Sequence, residues 1–226
     1  MDPLNLLKII TATATVIIAI TVGIAELRLN PKNMLNRWFF LFFISASLGF
    51  FAYTAYHIIL SNSDIIIPIM ITAHIFFNFI PISLVMTVFI IEKYKKVAIS
   101  FRYLGVMMIL FAIMSLGYFI FVPKLDMVKY SNEIVDTTTP IGWFIFVNVV
   151  RIALSAYVVY KYARITRTIG EQTKKRVQWF FLGIILVIIA LFINLVGGMF
   201  EWIPLEIIAL FTVNIGSILI LKGFLL

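Results

Sequence analysis

Apolar residues run along this chain in long stretches interrupted by short polar turns. Seven stretches are extensive enough to be membrane spans: Leu4–Ala25, Trp38–Leu60, Ile65–Ile91, Phe101–Val122, Pro140–Tyr160, Val177–Phe200 and Trp202–Leu226. A helix needs about 20 apolar residues to cross roughly 30 Å of hydrocarbon, where lipid offers no hydrogen-bond partner to an open backbone. The pattern therefore predicts an all-α integral membrane protein, a bundle of seven transmembrane helices forming a single domain over residues 1–226. The least marked division lies between the sixth and seventh spans. There the run Gly197-Gly198-Met199-Phe200-Glu201-Trp202-Ile203-Pro204 supplies two glycines, a carboxylate and a proline, the chemistry of a tight interfacial turn. The first span lacks a basic region before it and is followed by Glu26 and Arg28 instead of a small-residue cleavage site, so it reads as a retained helix and not as a signal peptide.

Composition agrees with this and removes several alternatives. The chain is 63% hydrophobic and 12% charged, far from the balance of a soluble domain. It has no cysteine and two histidines, which excludes disulfides and thiolate chemistry and leaves too few ligands for most histidine metal sites. No HExxH, GxGxxG, GxxxxGKS or GxSxG pattern is present, so neither a metal nor a cofactor is expected. The aspartates after Asp2, namely Asp64, Asp126 and Asp136, all fall in loops, so the machinery of an intramembrane enzyme is not visible.

The formal net charge of +8 is distributed by side. Fourteen of the 18 Lys and Arg residues occupy alternate connections: Arg28, Lys32 and Arg37; Lys93, Lys95, Lys96 and Arg102; Lys161, Arg164, Arg167, Lys174, Lys175 and Arg176; and Lys222. The opposite connections carry Lys124 and Lys129, and Lys8 and Arg151 fall within spans. Short basic loops stay cytoplasmic, so the N-terminus is expected outside and the C-terminus inside, in the cell membrane. Attraction to anionic membrane lipids accounts for the positive charge without nucleic acid.

Polar side chains inside hydrocarbon are costly and are the default candidates for a site. Arg151 lies about 16 Å into the fifth span, near mid-membrane, with Asn148 three residues earlier on the same face. The third span offers His74 and Asn78 one helical turn apart, followed by Pro81, which removes a backbone donor. Glu206 lies early in the seventh span, Lys8 at a similar depth in the first, and Asn194 and Asn214 supply amides on the last two. Each can equally serve as packing glue between helices. Taken together, Lys8, His74, Asn78, Asn148, Arg151, Asn194, Glu206 and Asn214 predict a polar ligand pocket open to the exterior, with Glu206 the expected partner of Arg151 and Lys8 the competing one. His57 reads as interfacial, the four tryptophans as markers of membrane depth, and most of the 22 phenylalanines as lipid-facing bulk.

Three segments carry a family resemblance. The turn Leu27-Arg28-Leu29-Asn30-Pro31-Lys32-Asn33 leads into an aromatic span. The run Lys174-Lys175-Arg176-Val177-Gln178-Trp179-Phe180-Phe181-Leu182-Gly183 passes from basic to aromatic residues and reaches a glycine. The last span leaves through Ile218-Leu219-Ile220-Leu221-Lys222-Gly223-Phe224-Leu225-Leu226. Together with the seven spans, the chain resembles the seven-transmembrane N-terminal sensory region of prokaryotic histidine kinases. The resemblance implies a sensor of an external or membrane-borne signal that passes helix movement inward to a partner or to a continuation of the chain, since no kinase domain is present. For such a sensor of a small-molecule, lipid or proton signal, the basic Lys161–Arg176 loop is the candidate output surface. Self-association remains open. A small-solute or anion transporter is the alternative, although Pro81 has no counterpart in another half and an odd number of spans disfavours a simple inverted repeat. A retinal protein is disfavoured, because the last span offers only Lys222, close to the cytoplasmic surface, and the third offers no carboxylate counter-ion.

Overall fold

The computed structural model describes residues 2–59, 62–166 and 171–225. The long helices are α1 (Pro3–Leu29), α2 (Met34–Ile58), α3 (Ile66–Ala98), α4 (Val106–Ile120), α6 (Ile141–Thr166), α7 (Glu171–Met199) and α8 (Ile203–Leu225); α5 (Met127–Ser131) is a single short turn of helix. A π-helical turn, Phe101–Gly105, extends α4 to a full span. Seven helices are thus long and apolar enough to cross a membrane, and the protein is an all-α, multi-pass membrane bundle.

Helix ends follow the local sequence. Asp2 caps α1 by accepting the Leu4 N–H at 2.7 Å, with Pro3 in the first turn where its missing donor is harmless. Asn33 caps α2 in the same way at 3.0 Å. The turn between α7 and α8 closes through the Trp202 N–H to the Gly197 carbonyl at 2.9 Å, with Glu201 in the left-handed region at φ 51°. Several hydroxyls within the spans are satisfied on their own helices: Thr11 donates to the Leu7 carbonyl, Ser83 to Ile80 and Thr87 to Leu84.

Neighbouring helices follow the order α1, α2, α3, α6, α7, α8 and back to α1, a closed ring of six. Glycine permits the closest approach in it: a Cβ on Gly183 of α7 would lie 2.5 Å from the Gly216 carbonyl oxygen of α8. Helix α4 stands outside the ring, docked on α3 and α6 through Met114 and Tyr118 against Ile71 and Val147. Its outer apolar side chains, including Ile109, Ile113, Leu116 and Phe119, are exposed as lipid-facing residues would be.

The connections lie at two ends. The basic end carries the α1–α2, α3–α4 and α6–α7 turns, and the loop end carries α2–α3, α4–α6 and α7–α8. The α4–α6 connection folds back as a lid, with Lys124–Leu125 pairing antiparallel to Thr137–Thr138. Val135, fully buried, seats it on Ala52, Tyr56, Ile66 and Met70. Asp126 caps α5 through the Val128 and Lys129 N–H groups, and the Lys129 ammonium bonds Asp136. The backbone N–H of Lys129, foremost, holds the Asp126 carboxyl below its ordinary range; the bond to Asp136 holds the Lys129 ammonium above its own.

Sequence-based interface markers fare unevenly. Trp202 is exposed in its turn, and Trp179 lies beneath the Lys222 ammonium, 3.8 Å from ring centroid to Nζ. Trp38, in contrast, is buried and stacks on Phe79. Phe39, Phe42, Phe43 and Phe50 are likewise core residues, so a substantial part of the aromatic content faces inward instead of lipid.

A candidate ligand cavity around Arg151

The six-helix ring encloses a cavity of about 470 Å³ that reaches from the lid to Ile184 and Ile220, far toward the basic end. Every helix of the ring contributes to its wall and α4 does not. Most of the lining is aliphatic or aromatic, and the charged lining residues are Lys8, Asp136, Arg151, Glu201 and Glu206. The volume lies within the roughly 300–1,000 Å³ of small-molecule sites.

Arg151 is 5% exposed and lies ten residues past the start of α6, about 15 Å down the helix. Asn78 of α3 accepts from it twice, from Nε at 3.0 Å and from Nη2 at 2.7 Å. The same Nη2 lies 3.3 Å from His74 Nδ1 and 3.4 Å from the His74 carbonyl. Since a guanidinium only donates, that ring nitrogen is the unprotonated acceptor. Asn78 in turn donates to the Met114 carbonyl of α4 at 2.9 Å, and His74 stacks on Tyr118 at 4.6 Å between centroids. Tyr118 also interacts with the guanidinium. One arginine thus ties α3, α4 and α6 together while lining the cavity.

All of these partners are neutral. The expected Arg151–Glu206 pair does not form: Glu206 is taken by Lys8, Nζ to Oε2 2.8 Å, closing α8 onto α1 at the loop end. The packing of α8 on α1 decides the difference, with Glu206 one turn into α8 and Arg151 nearly three turns into α6. Among the described residues no carboxylate pairs with Arg151.

The remaining predicted site residues divide. Lys8, His74, Arg151, Asn194 and Glu206 line the cavity; Asn78, Asn148 and Asn214 do not. Asn78 lies behind Arg151 as its clamp. Asn148 donates to the Phe144 carbonyl of its own helix, and its Oδ1 is buried without a hydrogen bond among the described residues. Asn214 joins α8 to α1, accepting from the Thr15 hydroxyl and donating to the Thr11 carbonyl at 3.0 Å. Asn194 faces the cavity with its amide free of hydrogen bonds among the described residues.

Sequence reasoning missed the wall at the loop end. His57, in the last turn of α2, is 2% exposed and flanked by Tyr53 and Tyr56 with ring centroids 4.2 and 4.3 Å away, and all three line the cavity. Their spacing at i, i+3 and i+4 on α2 was the available signal. Asp136, read only as a loop aspartate, also faces the cavity. Ser155, one helical turn beyond Arg151, is 4% exposed, lines the cavity and makes no hydrogen bond among the described residues.

At the basic end Lys161 is held by Glu92 of α3, at 2.9 and 3.0 Å to the two carboxylate oxygens. Arg164 is exposed beside Tyr160. Arg167 lies outside the described residues, as do the side chains of Lys95, Lys174 and Arg176. Among the described residues no group of three metal-ligating side chains occurs. Comparison with protein-family models, curated proteins and solved structures finds no match to this chain.

Proposed function

We propose that this chain is a receptor-like sensor of the cell membrane, with its N-terminus and lid outside, that binds a small molecule in the central cavity and relays helix movement to a cytoplasmic partner. The observation that carries this reading is the closed ring of six helices around a ligand-sized cavity, with a buried arginine on its wall that has no carboxylate partner. Occupancy of such a cavity touches six helices at once. A ligand can bias their arrangement by the difference in its affinity for two packings. The basic connections favour the same orientation, since short loops rich in Lys and Arg stay in the cytoplasm.

The Lys161–Glu92 pair couples α6 to α3 beside the α6–α7 connection, where movement would be read by a partner or by further chain. The resemblance to histidine-kinase sensory regions points to the same kind of output. Transport of an anion is the second reading, favoured by the same unpaired Arg151.

Spin labels at Arg164 and Gln178, exposed on α6 and α7, test the sensor. A panel of amphiphiles with acidic, neutral and basic heads is added to the reconstituted protein, and the inter-label distance is measured. At least one class is expected to bind and change that distance. A panel in which no member changes it, or proteoliposomes that carry a bound member across, contradicts the sensor.

A further inference from the structure

The cavity has two chemically different halves. Near the lid its charges are accounted for locally: Lys8 by Glu206, Asp136 by Lys129, and Glu201 by exposure in the α7–α8 turn. Past that level Arg151 is the one charged residue among the described lining residues. Two cavity-lining hydroxyls beyond its level have no hydrogen bond among the described residues, Ser155 one turn along α6 and Ser217 on α8, while the Asn194 amide, five residues from the end of α7, faces the cavity nearer the lid. A serine within a helix ordinarily donates back to a carbonyl of the preceding turn. Ser155 does not, although 96% of its surface is covered. Beyond this cluster, toward the basic end, the wall is Phe42, Phe43, Leu84, Ile184, Val187 and Ile220.

A buried guanidinium held only by neutral acceptors keeps its full charge, and a low dielectric strengthens its attraction for an anion. Its planar fork suits the oxygens of a carboxylate or a phosphate, and the Ser155 hydroxyl one turn along the same helix supplies a further donor. The apolar floor would hold an alkyl chain.

Resting on the sensor reading above, the geometry points to an anionic single-chain amphiphile as the ligand: its head on Arg151 and Ser155, its tail toward Ile184 and Ile220. The volume of about 470 Å³ admits one such chain and excludes a two-chain phospholipid. The shared recognition chemistry is an anionic oxygen head, as a free fatty acid or as an alkyl phosphate.

Equilibrium binding of dodecanoate, dodecyl phosphate, dodecanol and dodecylamine to the full chain in lipid nanodiscs tests this, with the Arg164–Gln178 label distance recorded in the same samples. Dodecanoate or dodecyl phosphate is expected to bind at least about tenfold tighter than dodecanol, as a charge-assisted bond removed from water provides. The tighter of the two identifies the head. Arg151→Gln should erase the preference for the anion, leaving dodecanol binding within about twofold. Should Arg151→Gln fail to fold, Ala46→Phe, which adds bulk to the cavity wall from α2 and leaves Arg151 in place, should abolish binding of all four.

Equal binding of anion and alcohol, or binding of neither anion, overturns the inference. If the alcohol or the amine binds and changes the label distance, the sensor reading survives without it. If an anion binds through Arg151 and the distance is unchanged, the ligand class stands and the sensor reading falls.

Discussion

Asn78 carries more of the architecture than its size indicates. One side chain accepts two bonds from the Arg151 guanidinium and donates to α4, so its loss strands a buried charge and a carbonyl together. Asn78→Leu is expected to destabilise the protein by about 3 kcal/mol. Asn148→Leu, on the same α6 face as Arg151 but bonded only within its own helix, should change stability by less than about 0.5 kcal/mol. Denaturant unfolding in mild detergent checks both, and equal losses would contradict the assigned roles.

Lys8 and Glu206 form a different kind of unit, because each neutralises the other. Glu206→Gln leaves the Lys8 ammonium, 2% exposed, without its counter-charge and should cost about 3 kcal/mol. The double substitution Lys8→Met with Glu206→Leu should cost much less than the sum of the single substitutions, a coupling measured by a double-mutant cycle.

These residues also show what could be read in advance. His74, Asn78 and Arg151 were recognisable because polar groups in hydrocarbon are conspicuous and a helical turn places the first two together. Their mutual bonding was not, because it depends on which helices become neighbours. Helical depth alone leaves Glu206 within bridging range of Arg151 with Lys8 as competitor, and the packing of α8 on α1 decides for Lys8. Ser155 leaves no mark in the sequence: a lone serine in a span is normally bonded to its own helix, and its place on the cavity wall follows from the ring order.

Among the elements, the lid and the α7–α8 turn make the clearest predictions. The depressed Asp126 carboxyl contributes order that is present above the ordinary aspartate range and lost as pH falls through its lowered value. The raised Lys129 ammonium contributes order that is present below the ordinary lysine range and lost as pH rises through its elevated value. The mobility of a spin label at Thr138 should therefore be flat between about pH 5 and 9 and rise toward either extreme. A transition near neutrality would show that the lid is held by something other than these groups.

The α7–α8 turn places Glu201 at φ 51°, a conformation that an L side chain adopts at a cost. Glu201→Gly should raise stability by about 1 kcal/mol, measured by the same unfolding assay, and a loss would indicate that the carboxylate has a compensating role. The Gly197-Gly198 run and Pro204 marked this turn in the sequence. The lid left no comparable mark, because its two-residue strands and five-residue helix are too short for a periodic pattern and depend on Val135 finding its pocket.

For the whole molecule, hydropathy is enough to find the seven long helices, with ends that differ by up to seven residues where α3, α6 and α7 run on past the apolar stretch at the basic end. It could not give their order around the ring or the exclusion of α4, since all seven are apolar around most of their circumference and lipid rewards no particular face. The ring order creates the cavity, and the cavity turns a costly arginine into a candidate binding group.

Its accessibility tests this account most directly. The chain contains no cysteine, so any introduced thiol is unique. Ser155→Cys and Asn194→Cys should react with small water-soluble thiosulfonates in sealed vesicles. Ile113→Cys on the outer face of α4 and Asn148→Cys in the packed interface should be protected. At Ser155→Cys an anionic reagent should react at least about tenfold faster than a cationic one, drawn by the unpaired guanidinium. Protection of all four thiols, or equal rates for the two reagents, would contradict a charged, ligand-accessible chamber at the centre of the bundle.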